Sequence, residues 1–139
     1  MQDVAVPMIT MLYAGILGLF SLVLAGMVVR QRLRNKVGTG DGGVPALDGA
    51  IRAHGNFIEY VPLALLLILL LELAAQAPLK LHLFGAALVI GRVLHAFGLS
   101  TRPGKTSVGR FWGTIVTWLV VLLASLNLIF WSVSKLLAG

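Results

Sequence analysis

Residues 51–75 read IRAHGNFIEYVPLALLLILLLELAA. From Pro62 to Leu71 every side chain is apolar, which is the composition of a helix inside a bilayer. The leading turns break that pattern with Arg52, His54, Asn56 and Glu59. A charged side chain at bilayer depth costs roughly 3 kcal/mol on insertion scales, so such groups are held by partners or kept for a function.

Outward from this stretch, the same apolar composition recurs three times. The chain has 139 residues, of which 58% are hydrophobic, and a mean hydropathy of +0.96. The apolar residues fall into blocks at about 7–29, 50–75, 79–99 and 110–133. Each can cross a hydrocarbon core, which takes about 20 helical residues. The expected fold is all-α: an integral membrane four-helix bundle, a single domain over 1–139. Pro62 is expected to interrupt the second helix and to free the carbonyl of Ile58. The first block is expected to be a retained helix rather than a signal peptide. It is long, it opens with Asp3 rather than a basic segment, and its basic cluster follows it.

The formal charge of +6 does not indicate a nucleic-acid partner, because the basic residues cluster at the ends of apolar blocks. Arg30, Arg32, Arg34, Lys36, Arg102 and Lys105 lie in the first and third connections, with Arg110 at the edge, whereas the second connection holds only Lys80. The positive-inside rule therefore puts loops 30–49 and 100–109 in the cytoplasm and both termini on the other side. There is no cysteine, hence no disulfide framework and no protein thiol for chemistry. The three histidines lack ligand spacing, so no metal is expected, and GTGDGG is not followed by the Gly-Lys-Ser/Thr of a phosphate loop.

The polar residues within the blocks form a pattern. Arg52, Asn56 and Glu59 are spaced i, i+4, i+7 on one helical face, with Tyr60 beside them, and Arg92 and His95 share a face of the third helix. Counted from the expected cytoplasmic ends, Glu59 and Arg92 both lie about 12 Å deep, and Asn56 and His95 both about 7 Å deep. A Glu59–Arg92 ion pair is expected, either pinning two helices or forming part of a polar pocket open to the cytoplasm. His54 is read as interfacial, and Glu72 and His82 as solvated at the far ends of their helices. Ala14, Gly18, Ala87 and Gly91 form two small-xxx-small pairs that permit close helix contact. Arg110, beside Gly109 at the start of the fourth helix, places a guanidinium at the pocket mouth. A fixed cation there favours a thiolate, which has to come from a ligand.

The sequence resembles the MAPEG family, the membrane-associated proteins in eicosanoid and glutathione metabolism. The resemblance rests on RAHGNFIEYVP (52–62), GRVLHAFGLS (91–100), GDGG before the second helix and GRFWGT (109–114), and it covers nearly the whole chain. It implies a homotrimer in a bacterial inner membrane that binds glutathione between protomers as co-substrate. By position, Arg52, Asn56 and Glu59 hold the peptide, Arg92, His95 and Tyr60 line the same pocket, and one of Arg30, Arg32 and Arg34, with Arg34 the favoured match, reaches it from the first helix. Arg110 matches the arginine credited with activating the thiol. The implied activity is a glutathione transferase acting on lipophilic electrophiles in detoxification, with peroxidase chemistry open to the same thiolate. Two positions depart from the pattern. Leu99 stands where several members carry tyrosine, and Phe111 stands where the prostaglandin-synthase branch carries serine, so prostaglandin synthesis is not implied. Two other readings compete: a non-catalytic trimer whose polar network serves assembly or binds another anionic thiol or peptide-like ligand, and a small proton-coupled transporter. The latter lacks the repeats and broken helices common in transporters.

Overall fold

The computed structural model of the chain describes residues 6–101, 105 and 107–139. Arg102, counted above among the loop charges, lies outside the described residues. Among the described residues there are four helices and no strand: α1 (Met8–Asn35), α2 (Pro45–Leu73), α3 (Pro78–Thr101) and α4 (Val108–Ala138). All four are long and apolar enough to cross a membrane.

The helices outrun the apolar blocks that announce them. α1 continues through the basic run to Asn35 because Arg, Gln and Leu are good helix formers, whatever their polarity. It stops where Lys36 turns left-handed and Val37 N–H donates back to the Arg32 carbonyl at 3.1 Å, a Schellman-type end. Arg32 then gathers the following loop, donating to the carbonyls of Gly38 at 3.2 Å and Gly40 at 3.0 Å. Pro45 opens α2, where its missing N–H is no loss. Pro62 does not interrupt that helix, which stays continuous from Pro45 to Leu73. Neighbouring helices in a bundle re-satisfy the carbonyl that an intramembrane proline frees.

Each helix buries one stripe. In α2 the stripe is Ala50, Ala53, Phe57, Val61, Ala64, Ile68 and Leu71, and in α1 it narrows to Thr10, Leu17 and Leu24. α3 is the most enclosed of the four. Large apolar side chains such as Leu19, Leu22, Phe130 and Leu136 point outward, a surface that suits lipid and not water. In lipid, helix association comes from close packing and interhelical hydrogen bonds rather than from the hydrophobic effect.

The closest packing is between α3 and α4, through glycines. A Cβ on Gly113 would lie 2.5 Å from the Gly91 carbonyl oxygen and 2.6 Å from the His95 nitrogen. A Cβ on Gly109 would lie 2.9 Å from the Leu94 carbonyl oxygen, and one on Gly98 would collide with the Arg110 nitrogen and the Ser107 hydroxyl. Of the small residues singled out in the sequence, Gly91 takes part in this contact, whereas Gly18 faces open space.

The far end of the bundle holds a second polar cluster. Glu72 accepts from the backbone N–H of Ile9 at 2.9 Å and of Thr10 at 2.7 Å, and from the Thr10 hydroxyl at 2.6 Å. Pro7, the residue before α1, supplies no side-chain cap, so the end of α2 caps the start of α1. Glu72 is therefore not a solvated end residue. The Tyr13 hydroxyl lies 3.1 Å from His82 Nδ1 and donates to the His82 carbonyl at 3.1 Å, and the Tyr13 ring fills the space a side chain at Gly85 would need. His82 is exposed, but it is tied to α1 rather than free in solvent.

Candidate functional site

At the other end of the bundle, α2, α3 and the start of α4 enclose a cavity of about 310 Å³. Its lining is Ile51, Arg52, Gly55, Asn56, Glu59, His95, Leu99 and Arg110. The i, i+4, i+7 stripe of α2 thus forms one wall, as its spacing requires. His95 and Leu99 of α3, one turn apart, form the next.

The start of α4 is fixed locally. Ser107 stands extended before the helix and its hydroxyl accepts from the Arg110 N–H at 3.2 Å, a side-chain N-cap. Gly98 and Gly109 let this turn lie directly on α3, which puts Arg110 at the cavity. Arg110 is exposed and also lines a second crevice of about 360 Å³ with Ser107, Phe111, Thr114, Ile115 and Trp118. The first cavity is polar and the second is mostly apolar, and Arg110 borders both.

Arg92 does not line the cavity. It is buried at 2% exposure, behind Asn56. Its Nη1 donates to Asn56 Oδ1 at 2.7 Å and its Nη2 to the Gly113 carbonyl at 3.1 Å. The Tyr60 ring centre lies 5.7 Å from its Cζ, within cation–π range. The expected Glu59–Arg92 ion pair is absent: among the described residues the one ion pair is Arg52 with Asp48, at 2.9 Å. The true helix ends account for this. Asn56 lies 56 − 45 = 11 residues into α2 and Glu59 lies 59 − 45 = 14, whereas Arg92 lies 101 − 92 = 9 from the end of α3. Arg92 therefore sits nearer the level of Asn56, and Glu59 lies about 4.5 Å further in.

Of the eight residues singled out in the sequence, Arg52, Asn56, Glu59, His95 and Arg110 line the cavity; Tyr60 and Arg92 stand beside it; Arg34 does not reach it. Arg34 is exposed near the end of α1, and no contact within the chain brings it to the site. Two lining residues, Ile51 and Gly55, carry no polar signal in the sequence, and Leu99 stands out there only as a departure from the family pattern. Gly113 contributes through its backbone carbonyl, which also accepts from the Thr117 hydroxyl at 2.9 Å. No cluster of three or more metal-binding side chains occurs among the described residues.

The family model for the MAPEG family matches residues 10–130. The chain belongs to the MAPEG family. It is 36% identical over 116 residues to the inner membrane protein YecN of Escherichia coli strain K12, covering 84% of this chain and 86% of that protein. YecN of Escherichia coli O6:H1 strain CFT073 gives the same figures. No solved structure matches the chain significantly. The MAPEG match runs through all four helices and takes in every residue of the cavity.

Proposed function

We propose that this MAPEG protein is a membrane-bound glutathione transferase of an inner membrane. The observation that carries the proposal is the position of Arg110 between a polar cavity and an apolar crevice. Glutathione has two carboxylates, one ammonium group and a thiol. The polar cavity offers Arg52 and Arg110 to anions and Glu59 to a cation, a complementary set. Asn56 and His95 add hydrogen-bonding capacity. A guanidinium beside the thiol favours its ionised form. The thiolate then attacks an electrophilic carbon and displaces a leaving group such as chloride, or attacks a hydroperoxide oxygen, breaking the O–O bond to leave an alcohol and a sulfenic acid that a second glutathione converts to the disulfide and water. The crevice along Phe111, Ile115 and Trp118 suits a lipophilic acceptor arriving from the bilayer.

The protein acts as a homotrimer in this reading. Glu59 is exposed in the single chain despite its depth in α2, and a neighbouring protomer covers it. Arg34 closes the cavity from that neighbour's α1. The basic end of α1 and the loop after it face the cytoplasm, and both termini lie across the membrane.

Equilibrium dialysis of the detergent-solubilised protein against glutathione tests the reading. Saturable binding at millimolar or lower concentration is expected. If glutathione does not bind, the transferase reading falls, and a structural role for the polar network takes its place.

A further inference from the structure

Arg92 is a buried cation with three nitrogen groups to satisfy and no carboxylate beside it. Two groups are satisfied, by Asn56 Oδ1 on α2 and by the Gly113 carbonyl on α4. Nε is buried and has no partner. A guanidinium only donates, so the atom of Asn56 that faces it has to be the oxygen. The Asn56 Nδ2 group is thereby turned away from Arg92, and Asn56 lines the cavity.

The second contact acts on α4. Gly113 is one turn after Arg110, and its carbonyl receives both Arg92 and Thr117 at one of the close glycine contacts between α3 and α4. One side chain on α3 thus ties the α2 wall of the cavity to the helix that carries Arg110.

We infer that Arg92 is a positioning residue: it holds the Asn56 amide with its N–H group toward the cavity and fixes α4, with Arg110, relative to α2. Asn56 then recognises an acceptor, a carboxylate oxygen or the thiolate sulfur of the ligand, and Arg92 itself touches no ligand atom. The choice of ligand rests on the glutathione reading, but the strut between α2 and α4 does not.

The chain has no cysteine, so spin labels can be placed cleanly. Cysteines replacing Leu63 on α2 and Leu119 on α4, both exposed, carry a label pair for a pulsed electron–electron distance measurement. A narrow distribution is expected with Arg92 in place, a broadened or shifted one in Arg92→Met, and partial recovery in Arg92→Lys, whose single ammonium reaches one partner at a time. An unchanged distribution in both variants overturns the strut. If Arg92→Met does not fold, Arg92→Lys decides alone.

Asn56→Asp separates the two roles. The aspartate keeps an oxygen for Arg92 but presents a second oxygen to the cavity in place of the N–H group. The distance distribution is expected to stay narrow while the KM for glutathione rises about tenfold or more, the loss of one hydrogen bond to a charged group. An unchanged KM overturns the amide role. If the wild-type protein binds no glutathione, the transferase reading fails while the distance measurement still judges the strut.

Discussion

Glu72 and Thr10, 62 residues apart, are joined at the far end of the bundle by two hydrogen bonds, 2.7 Å to the Thr10 amide and 2.6 Å to its hydroxyl. The donors are a backbone N–H group in the first turn of α1 and the hydroxyl of the same residue, and the acceptor is the last acid of α2. α1 has the narrowest buried stripe of the four helices, so this cap is a main tie of α1 to the bundle. It stands at the opposite end from the cavity, which separates stability from binding.

Glu72→Ala is therefore expected to lower stability by about 2 kcal/mol or more, since it leaves helix-end donors unpaired. Chemical unfolding in detergent measures this, and glutathione affinity is expected to stay within twofold of wild type. A variant as stable as wild type would remove Glu72 from its capping role.

Gly113→Ala puts a Cβ within 2.6 Å of the His95 nitrogen and 2.5 Å of the Gly91 carbonyl oxygen. Both are backbone atoms and cannot swing aside, so α4 has to move. Overpacking of this kind costs roughly 1–3 kcal/mol, and the displaced Arg110 lowers activity as well. Gly18→Ala, with open space at its Cβ, is the control: it is expected to be neutral or to stabilise by about 0.5–1 kcal/mol. Thermal unfolding of the two variants side by side shows whether the α3–α4 contact is as tight as the geometry requires.

Asp48 holds Arg52 at 2.9 Å on an exposed face and competes with any anion in the cavity. Asp48→Asn is expected to change stability by less than about 1 kcal/mol. It is expected to tighten glutathione binding roughly threefold at low ionic strength, an effect that shrinks as salt screens the freed charge. Titrations at two salt concentrations check both the sign and the screening.

The four spans are legible in the sequence because a bilayer demands long apolar runs, and the α2 stripe is legible because helical spacing puts Arg52, Asn56 and Glu59 on one face. The helix ends are less so. Hydropathy marks where lipid stops, not where hydrogen bonding stops, and α1 and α2 both extend past their apolar blocks. That shift of a few residues is what exchanges Glu59 for Asn56 as the partner of Arg92. The Glu72 cap is invisible for another reason: its partners are backbone N–H groups more than 60 residues away, and no local pattern reports them. The glycine contacts between α3 and α4 are only half visible, since Gly18 and Gly91 look alike in sequence and differ in what faces them.

In the proposed reaction Arg110 stabilises the thiolate of bound glutathione. This role is tested most directly by ultraviolet difference spectroscopy at neutral pH, where a thiolate absorbs and a thiol does not. Mixing glutathione with the wild-type protein is expected to give a thiolate band. With Arg110→Ala, at glutathione concentrations that dialysis shows to be saturating, the band is expected to be lost and turnover of a chlorinated nitroaromatic to fall at least a hundredfold, in keeping with removal of one transition-state donor. A thiolate band of equal height in Arg110→Ala, or turnover unchanged by the substitution, would remove Arg110 from this role.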